Sequence, residues 1–131
     1  MSIQPLHDSV AHSDPRFKNL KLLLLDVDGV LTDGTLYHGE TQGWSRVYHI
    51  HDGYGIKVLL SLGFPVGIIS GGASTDLKER IKTLGIPHAV LGKEDKLTSL
   101  KMISDELKIP FDQICFMGDE LFDIPALKKV G

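Results

Sequence analysis

Carboxylates gather directly after one of the most apolar segments of the chain. Asp26, Asp28 and Asp33 follow the leucine run at residues 22–25, and Gly29 and Gly34 lie between and after them. Ionised carboxylates repel one another, and burying one without a partner is costly. Either these acids face water, or a cation holds them together.

Two further apolar segments also end in polar residues. The segment PVGIIS ends at Ser70, and QICFMGDE ends in Asp119 and Glu120. In an open parallel sheet, ligands bind at the carboxyl ends of the strands, so these residues would converge with Asp26 and Asp28. Several carboxylates at one place attract a hard divalent cation, and Mg2+ is bound by one or two carboxylates together with phosphate oxygens. The pattern predicts a Mg2+ site.

A hydroxyl group and a lysine beside such a metal would form a phosphate pocket. Ser70 supplies the hydroxyl, and either Lys93 or Lys96 supplies the charge. A carboxylate can attack phosphorus to give an aspartyl-phosphate, and a carboxylic acid two residues further on can protonate the leaving alkoxide. Metal and lysine would stabilise charge on the transferring phosphoryl group.

The elements that must position these residues alternate between strand and helix. Apolar runs at residues 22–25, 65–69 and 113–117 predict buried strands, and helices follow at about 53–63, 74–85 and 93–109. Alternation of this kind predicts a doubly wound parallel sheet with helices on both faces. Between the first strand and the first of these helices, residues 35–38 and 45–51 predict a β-hairpin insertion.

Composition limits the function classes. The chain has 131 residues, a net charge of −3 and one cysteine. These totals predict one domain, at residues 21–131, preceded by a polar tail at residues 1–20. No basic stripe indicates nucleic acid, no apolar run is long enough to cross a membrane, and no export signal is visible. A single cysteine fits a reducing, cytoplasmic setting.

The motifs resemble those of haloacid dehalogenase superfamily phosphatases. DVDGVLTDG, IISGG, GKEDKL and MGDELFD match the four motifs of that superfamily in order, over roughly residues 22–131. DGVLTDG, HIHDGYGIK and GDELFDIP together resemble the capless branch typified by 3-deoxy-D-manno-octulosonate 8-phosphate phosphatase. The resemblance therefore implies an aspartyl-phosphate phosphatase on a Rossmann-like fold with no cap domain, acting on a phosphorylated sugar acid.

The resemblance also implies a role for each matching residue. Asp26 would be the nucleophile and a metal ligand, and Asp28 the general acid/base, with its backbone carbonyl on the metal. Asp119 would be the third Mg2+ ligand. Ser70 and Lys96 would bind the phosphoryl group, with Thr32 and Gly71 as further substrate contacts, and Asp123 would steady Lys96 or a water molecule. The family further implies a homotetramer.

Three features depart from the family pattern. Glu120 and Gly72 stand where the family usually has an aspartate and a larger polar residue, and family members continue beyond the position of Gly131. Other sugar phosphates, such as nonulosonate 9-phosphates, therefore stay open as substrates. A non-catalytic assembly module and a receiver-type signalling module stay open as rival functions.

Several residues have a simpler structural interpretation. Asp123 precedes Ile-Pro, so capping a helix could be its only role. Cys115 would be buried and inert. His49 and His51 would share one polar face of a hairpin strand, which is more typical of solvation than of metal binding. The hairpin aromatic residues favour an interface between subunits; they are Tyr37, Trp44 and Tyr48.

Overall fold

A four-stranded parallel sheet forms the centre of the structure, a computed structural model that describes residues 15–131. The strands are β1 (Leu22–Leu25), β4 (Val66–Ser70), β5 (His88–Leu91) and β6 (Ile114–Met117), and β2 (Tyr37–Gly39) and β3 (Gly43–Ser45) form a separate antiparallel hairpin. The helices are α1 (Pro15–Asn19), α2 (Ile50–Ser61), α3 (Thr75–Leu84), α4 (Lys96–Leu107) and α5 (Ile124–Leu127). Single 3-10 turns span Phe111–Gln113 and Leu121–Asp123.

The order of strands in the sheet is β5-β4-β1-β6. Leu24 on β1 lies opposite Gly67 on one side and Phe116 on the other. Both Leu22 and Leu24 are fully buried. A central parallel strand covered on both faces needs apolar residues at successive positions, which explains the unbroken leucine run.

Hydrophobic cores lie on both faces of the sheet. On one face, Ile56 of α2 and Leu77 of α3 pack with Ile68 of β4. On the other face, Leu100 of α4 and Ala126 of α5 pack in a second buried cluster. The doubly wound α/β fold is therefore confirmed. Within residues 15–131, the stretch between β1 and β4 contains only the hairpin and α2 as regular elements, so the described part of the chain has no cap domain.

The predicted second strand of the hairpin is wrong beyond Ser45. The chain leaves the hairpin at Arg46, whose guanidinium is drawn to the carboxylates of Asp28 and Asp76. It then enters α2 at Ile50, with His49 as the N-cap residue whose Nδ1 accepts a hydrogen bond from the His51 amide at 3.1 Å. The two histidines therefore form a helix start rather than one face of a strand.

The helix ends agree better with the sequence. Gly63 and Gly85 follow α2 and α3 with φ angles of 76° and 73°, in the left-handed region that glycine adopts without steric cost. Most of the predicted tail, residues 1–14, lies outside the described residues, and Pro15–Asn19 form the short helix α1. The boundary at residue 21 stays a prediction. Across residues 15–131, no helix combines the length and apolarity needed to span a bilayer.

Candidate active site

The carboxyl ends of β1, β4 and β6 meet at one edge of the sheet. Asp26 follows β1 directly, and its amide donates a hydrogen bond to the Met117 carbonyl at 2.9 Å, which extends the β1–β6 ladder. A cleft with a volume of about 180 Å³ opens at this edge. Its lining residues are Asp26, Asp28, Ser70, Gly71, Gly72, Glu94, Lys96, Glu120, Phe122 and Asp123.

A buried ion pair between Asp26 and Lys96 lies in this cleft. Lys96 Nζ is 2.6 Å from Asp26 Oδ1 and 3.1 Å from the Ile69 carbonyl oxygen, and both charged residues are 5% exposed. Burial raises the pKa of the Asp26 carboxyl, while the hydrogen bond and positive charge of Lys96 oppose that rise. The pair holds the Asp26 carboxylate in one orientation.

The start of α4 explains why Lys96 rather than Lys93 reaches the cleft. Asp95 caps the helix, with its Oδ1 accepting a hydrogen bond from the Thr98 amide at 3.0 Å. Lys96 is thereby fixed in the first turn, facing the sheet. Lys93 lies outside the cap and is exposed, with Nζ 3.4 Å from Met102 Sδ. The geometry distinguishes the two lysines that the sequence alone left open.

Three carboxylates converge beside this ion pair. Asp26, Asp119 and Asp123 each offer one oxygen, and these oxygens lie within 4.8 Å of one another. Gly29 permits the approach of Asp119, because a Cβ at that position would lie 1.9 Å from Asp119 Oδ2. The oxygen set and its negative charge suit Mg2+, which prefers carboxylate ligands.

Asp123 is fully buried and does more than begin a helix. Its Oδ2 accepts a hydrogen bond from the Glu120 amide at 3.0 Å, and its side chain does not cap α5. Its Oδ1 lies 3.2 Å from Lys96 Nζ, a distance at which charges attract, but the atoms lack hydrogen-bond geometry. A Cβ at Gly118 would lie 2.5 Å from Asp123 Cγ, so the glycine of the GDE sequence makes room for this carboxylate.

Ser70 and Gly71 occupy the cleft as the sequence predicts. Ser70 ends β4, is 1% exposed, and its Oγ accepts a hydrogen bond from the Gly72 amide at 3.1 Å. Because the amide uses the oxygen as an acceptor, the hydroxyl hydrogen remains available for donation to a ligand oxygen. Thr32 lies elsewhere: its Oγ1 accepts from the Gly34 amide at 3.1 Å, and it lines a neighbouring groove instead of the cleft. Substrate contact by Thr32 stays a prediction.

Sequence reasoning missed Arg46, which binds the carboxylate of Asp28. Arg46 Nε donates to Asp28 Oδ1 at 2.5 Å, and Nη2 donates to Asp28 Oδ2 at 3.0 Å. These bonds to Asp28 raise the pKa of Arg46 further above its already high value, so the group is a cation at all relevant pH values. Residues 45–51 have the pattern of a strand, and nothing in that pattern marks Arg46 as a site residue. The one indication in the sequence is Gly72, which stands where the family usually has a larger polar residue.

Comparison with known proteins places this geometry in a family. The chain is 37% identical over 120 residues to the 3-deoxy-D-manno-octulosonate 8-phosphate phosphatase of Salmonella typhi, covering 92% of this chain and 64% of that protein. The solved structure of the Yersinia pestis enzyme of the same name matches with a TM-score of 0.86 at 36% identity, over 97% of this chain and 67% of that one.

A third relative was solved with ligands. The structure of 3-deoxy-D-manno-octulosonate 8-phosphate phosphatase from Moraxella catarrhalis, in complex with magnesium ion, phosphate ion and KDO, matches with a TM-score of 0.86 at 32% identity. The match covers 95% of this chain and 71% of that one. The chain belongs to the 3-deoxy-D-manno-octulosonate 8-phosphate phosphatase family of the haloacid dehalogenase superfamily. No protein-family model matches it.

Membership of this phosphatase family confirms the resemblance that the four motifs predicted. The match covers the sheet and the ends of β1, β4 and β6, where the candidate residues lie. The chain spans 64% of the length of the first curated relatives that it matches.

The aromatic residues of the hairpin region divide into two groups. Tyr37 and Trp44 are 53% and 58% exposed on the hairpin. Tyr48, which the sequence placed with them, packs against the core, and its hydroxyl donates to Asp76 Oδ2 at 3.2 Å. Burial and the neighbouring Asp76 carboxylate raise the pKa of the Tyr48 phenol. Tyr48 is therefore a packing residue and not part of an exposed aromatic surface.

Proposed function

We propose that the chain is a Mg2+-dependent phosphomonoester hydrolase that acts through an aspartyl-phosphate intermediate on 3-deoxy-D-manno-octulosonate 8-phosphate. The observation that carries the proposal is the buried Asp26–Lys96 pair, at 2.6 Å, in a cleft that also contains Ser70 and Asp28. A buried, oriented carboxylate beside a cation and a hydroxyl group is suited to attack on a bound phosphoryl group.

The first chemical step breaks the ester bond. A carboxylate oxygen of Asp26 forms a bond to phosphorus while the bond from phosphorus to the ester oxygen breaks. Asp28 gives its proton to the leaving alkoxide, and Lys96 and the Ser70 hydroxyl stabilise charge on the phosphoryl oxygens. Because Lys96 fixes Asp26 before the substrate arrives, little reorganisation is needed during the step.

The second step restores the enzyme. Asp28 takes a proton from a water molecule that attacks phosphorus, the bond from phosphorus to the Asp26 oxygen breaks, and inorganic phosphate leaves. Asp26, Asp119 and the backbone carbonyl of Asp28 would hold Mg2+, and the position of Asp123 within the cluster supports a place for it beside the ion. When bound, Mg2+ neutralises the carboxylates and stabilises charge on the phosphoryl oxygens.

Release of inorganic phosphate from a panel of sugar-acid phosphates, with Mg2+ and with EDTA, tests the proposal. We expect turnover of 3-deoxy-D-manno-octulosonate 8-phosphate with Mg2+ only. Asp26→Asn should remove nearly all turnover, because attack by Asp26 forms the intermediate, and a rate above about a tenth of the wild-type rate would contradict the covalent mechanism. The exposed Asp105, which pairs with Lys101 on α4, provides the control Asp105→Asn, which should behave as wild type.

Other arms of the same panel separate the remaining functions. Preferential turnover of a nonulosonate 9-phosphate would reassign the substrate but keep the chemistry. Failure to hydrolyse any sugar phosphate or an aryl phosphate would contradict the enzyme assignment and favour an assembly or signalling module. Gly72 lines the cleft at a position where the family usually has a larger polar residue, and so makes the substrate comparison informative.

We also propose that the active form is a cytoplasmic homotetramer. The exposed Tyr37 and Trp44 support an interface, because aromatic residues are enriched where subunits meet. The single cysteine supports a reducing compartment. Replacing both aromatic residues with serine should shift the sedimentation coefficient from tetramer towards monomer. A wild-type chain that sediments as a monomer at micromolar concentration with full activity would contradict the tetramer.

A further inference from the structure

The guanidinium group of Arg46 is buried against the general acid/base of the proposed reaction. The Arg46 side chain is 6% exposed and binds both carboxylate oxygens of Asp28, whose side chain is 34% exposed. Two parallel N–H···O bonds between a guanidinium and a carboxylate fix the angle of the carboxylate plane as well as its distance. Asp28 can therefore present its remaining lone pairs to the cleft in one orientation.

The other edge of the guanidinium is anchored to the start of α3. Arg46 Nη1 donates to Ser74 Oγ at 2.7 Å and lies 3.3 Å from Asp76 Oδ1. The Arg46 backbone amide also donates to Asp76 Oδ2, at 3.2 Å. Burial acts to raise the pKa of Asp76, but the hydrogen bond with Ser74 and the charge of Arg46 hold it below its usual value.

These bonds use every nitrogen of the guanidinium within the protein. Nε and Nη2 face Asp28, and Nη1 faces Ser74 and Asp76. One cation therefore serves two carboxylates, and its charge is already compensated. Such a group is suited to holding Asp28 in place and is poorly suited to recognising the anion of a substrate.

Gly72 provides the space that Arg46 occupies. A Cβ at position 72 would lie 2.8 Å from Arg46 Nη2, closer than side chains tolerate. Gly72 is not among the glycines with positive φ, so its backbone conformation does not require glycine. What the glycine provides here is therefore space beside the guanidinium and not a special backbone conformation.

We propose that Arg46 is a positioning residue for Asp28, and that Gly72 is the residue that admits Arg46 to this place. The inference rests on the proposed function, because it assigns Asp28 the proton transfers of that reaction. A side chain at position 72 would push the guanidinium away and release the Asp28 carboxylate. Residues 46 and 72 thus form one unit, although 26 positions separate them in the sequence.

Four variants test this unit by steady-state kinetics: Arg46→Lys, Arg46→Gln, Gly72→Ala and the double variant Arg46→Gln/Gly72→Ala. Misplacing a catalytic group by an ångström can lower the rate by about 100-fold. We expect kcat to fall about 100-fold in Arg46→Gln and about 10-fold in Arg46→Lys, since an ammonium cannot form the double contact. KM should change less than about twofold in both, because all three guanidinium nitrogens are already bonded within the protein and Arg46 is not among the residues that line the cleft.

The glycine variant supplies the decisive comparison. Gly72→Ala should lower kcat about 10-fold in the wild-type background but less than about twofold when Arg46 is already glutamine. A Cβ that acted directly on the substrate would lower the rate equally in both backgrounds, and that result would overturn the proposal. Gly55→Ala is the matched control, because a Cβ there has nothing within 4 Å.

Crystal structures of the wild type and of Gly72→Ala give a readout that does not depend on activity. Separation of Arg46 from Asp28, with a displaced or poorly ordered Asp28 carboxylate, supports the proposal, and an unmoved pair overturns it. If the wild type hydrolyses no phosphomonoester, the proposed function fails, and the structures still decide whether Gly72 controls the Arg46–Asp28 contact. If Arg46→Gln does not fold, Arg46→Lys and Gly72→Ala, which keep the cation, carry the test.

Discussion

Replacing Lys96 with methionine removes a buried charge and little else. Methionine keeps the unbranched shape of the lysine stem but lacks the ammonium group. In the wild type, Lys96 Nζ lies 2.6 Å from Asp26 Oδ1 and 3.2 Å from Asp123 Oδ1. Asp26 is 5% exposed and Asp123 is fully buried. The substitution therefore leaves two buried carboxylates without their shared cation.

The expected cost is large for a chain of this size. Removing one partner of a buried ion pair typically lowers the free energy of unfolding by about 3–5 kcal/mol. That is a substantial share of the roughly 5–15 kcal/mol by which most domains are stable. We expect Lys96→Met to lose this amount at pH 7.5 in EDTA, and also to lose turnover, because the cation that binds the phosphoryl group is gone.

The loss should depend on pH in a definite direction. Burial already raises the pKa of Asp26 above 3.8, and Lys96 opposes the rise. An acid whose pKa is raised by folding binds its proton more tightly when folded, so its contribution makes the protein less stable as the pH rises from 3.8 through the folded pKa. Without Lys96 the folded pKa rises further, so the deficit of Lys96→Met should shrink as the pH falls towards 4.5.

Urea unfolding followed by circular dichroism measures these differences, with Lys93→Met as the matched control. Lys93 is an exposed lysine three positions before Lys96, and its replacement should change the free energy of unfolding by less than about 0.5 kcal/mol. Mg2+ should stabilise Lys96→Met more than the wild type, because it neutralises the buried carboxylates that the lost ammonium group leaves without a cation. Equal unfolding midpoints for Lys96→Met and wild type at pH 7.5 would refute the reasoning.

Three further predictions concern the carboxylate cluster and the cysteine. Asp119→Ala should weaken Mg2+ binding more than about 100-fold in calorimetric titration, and Glu120→Ala less than about tenfold. Of these two residues, Asp119 alone belongs to the carboxylate cluster, so the reverse order would contradict the assignment. Gly29→Ala, at a φ of 85° and with Asp119 in the way, should lower both stability and Mg2+ affinity, and an unchanged affinity would show that Asp119 is no ligand. Cys115 is half-buried and not buried as predicted, and this partial burial raises the pKa of its thiol. Alkylation by iodoacetamide at pH 8 should therefore be slower than for glutathione, and equal rates would count against this effect.

The sequence predicted those parts of the site that are fixed by strand ends. Asp26 and Ser70 each end an apolar run, and parallel strands bring their carboxyl ends to one edge, so their meeting follows from pattern alone. Residue type alone does not distinguish Lys96 from Lys93, because both are lysines near the same strand end. The helix cap at Asp95 decides which lysine turns inward. The cap is a local feature, formed by Asp95 and Thr98 within one turn of Lys96.

The sequence by itself thus determined the doubly wound sheet, because short unbroken apolar runs that alternate with helical patterns are typical of parallel strands buried on both faces. It also placed the acid and the hydroxyl of the cleft, which follow the strand ends. Only the tertiary structure decided how Asp28 is held. The contact of Arg46 with Asp28 and the space at Gly72 join positions that are far apart in the chain, where no local period or propensity relates them. The start of α2 uses the local His49 cap. The end of the hairpin and the placement of the half-buried Tyr48 followed from long-range charges and hydrogen bonds, which act only once the chain has folded.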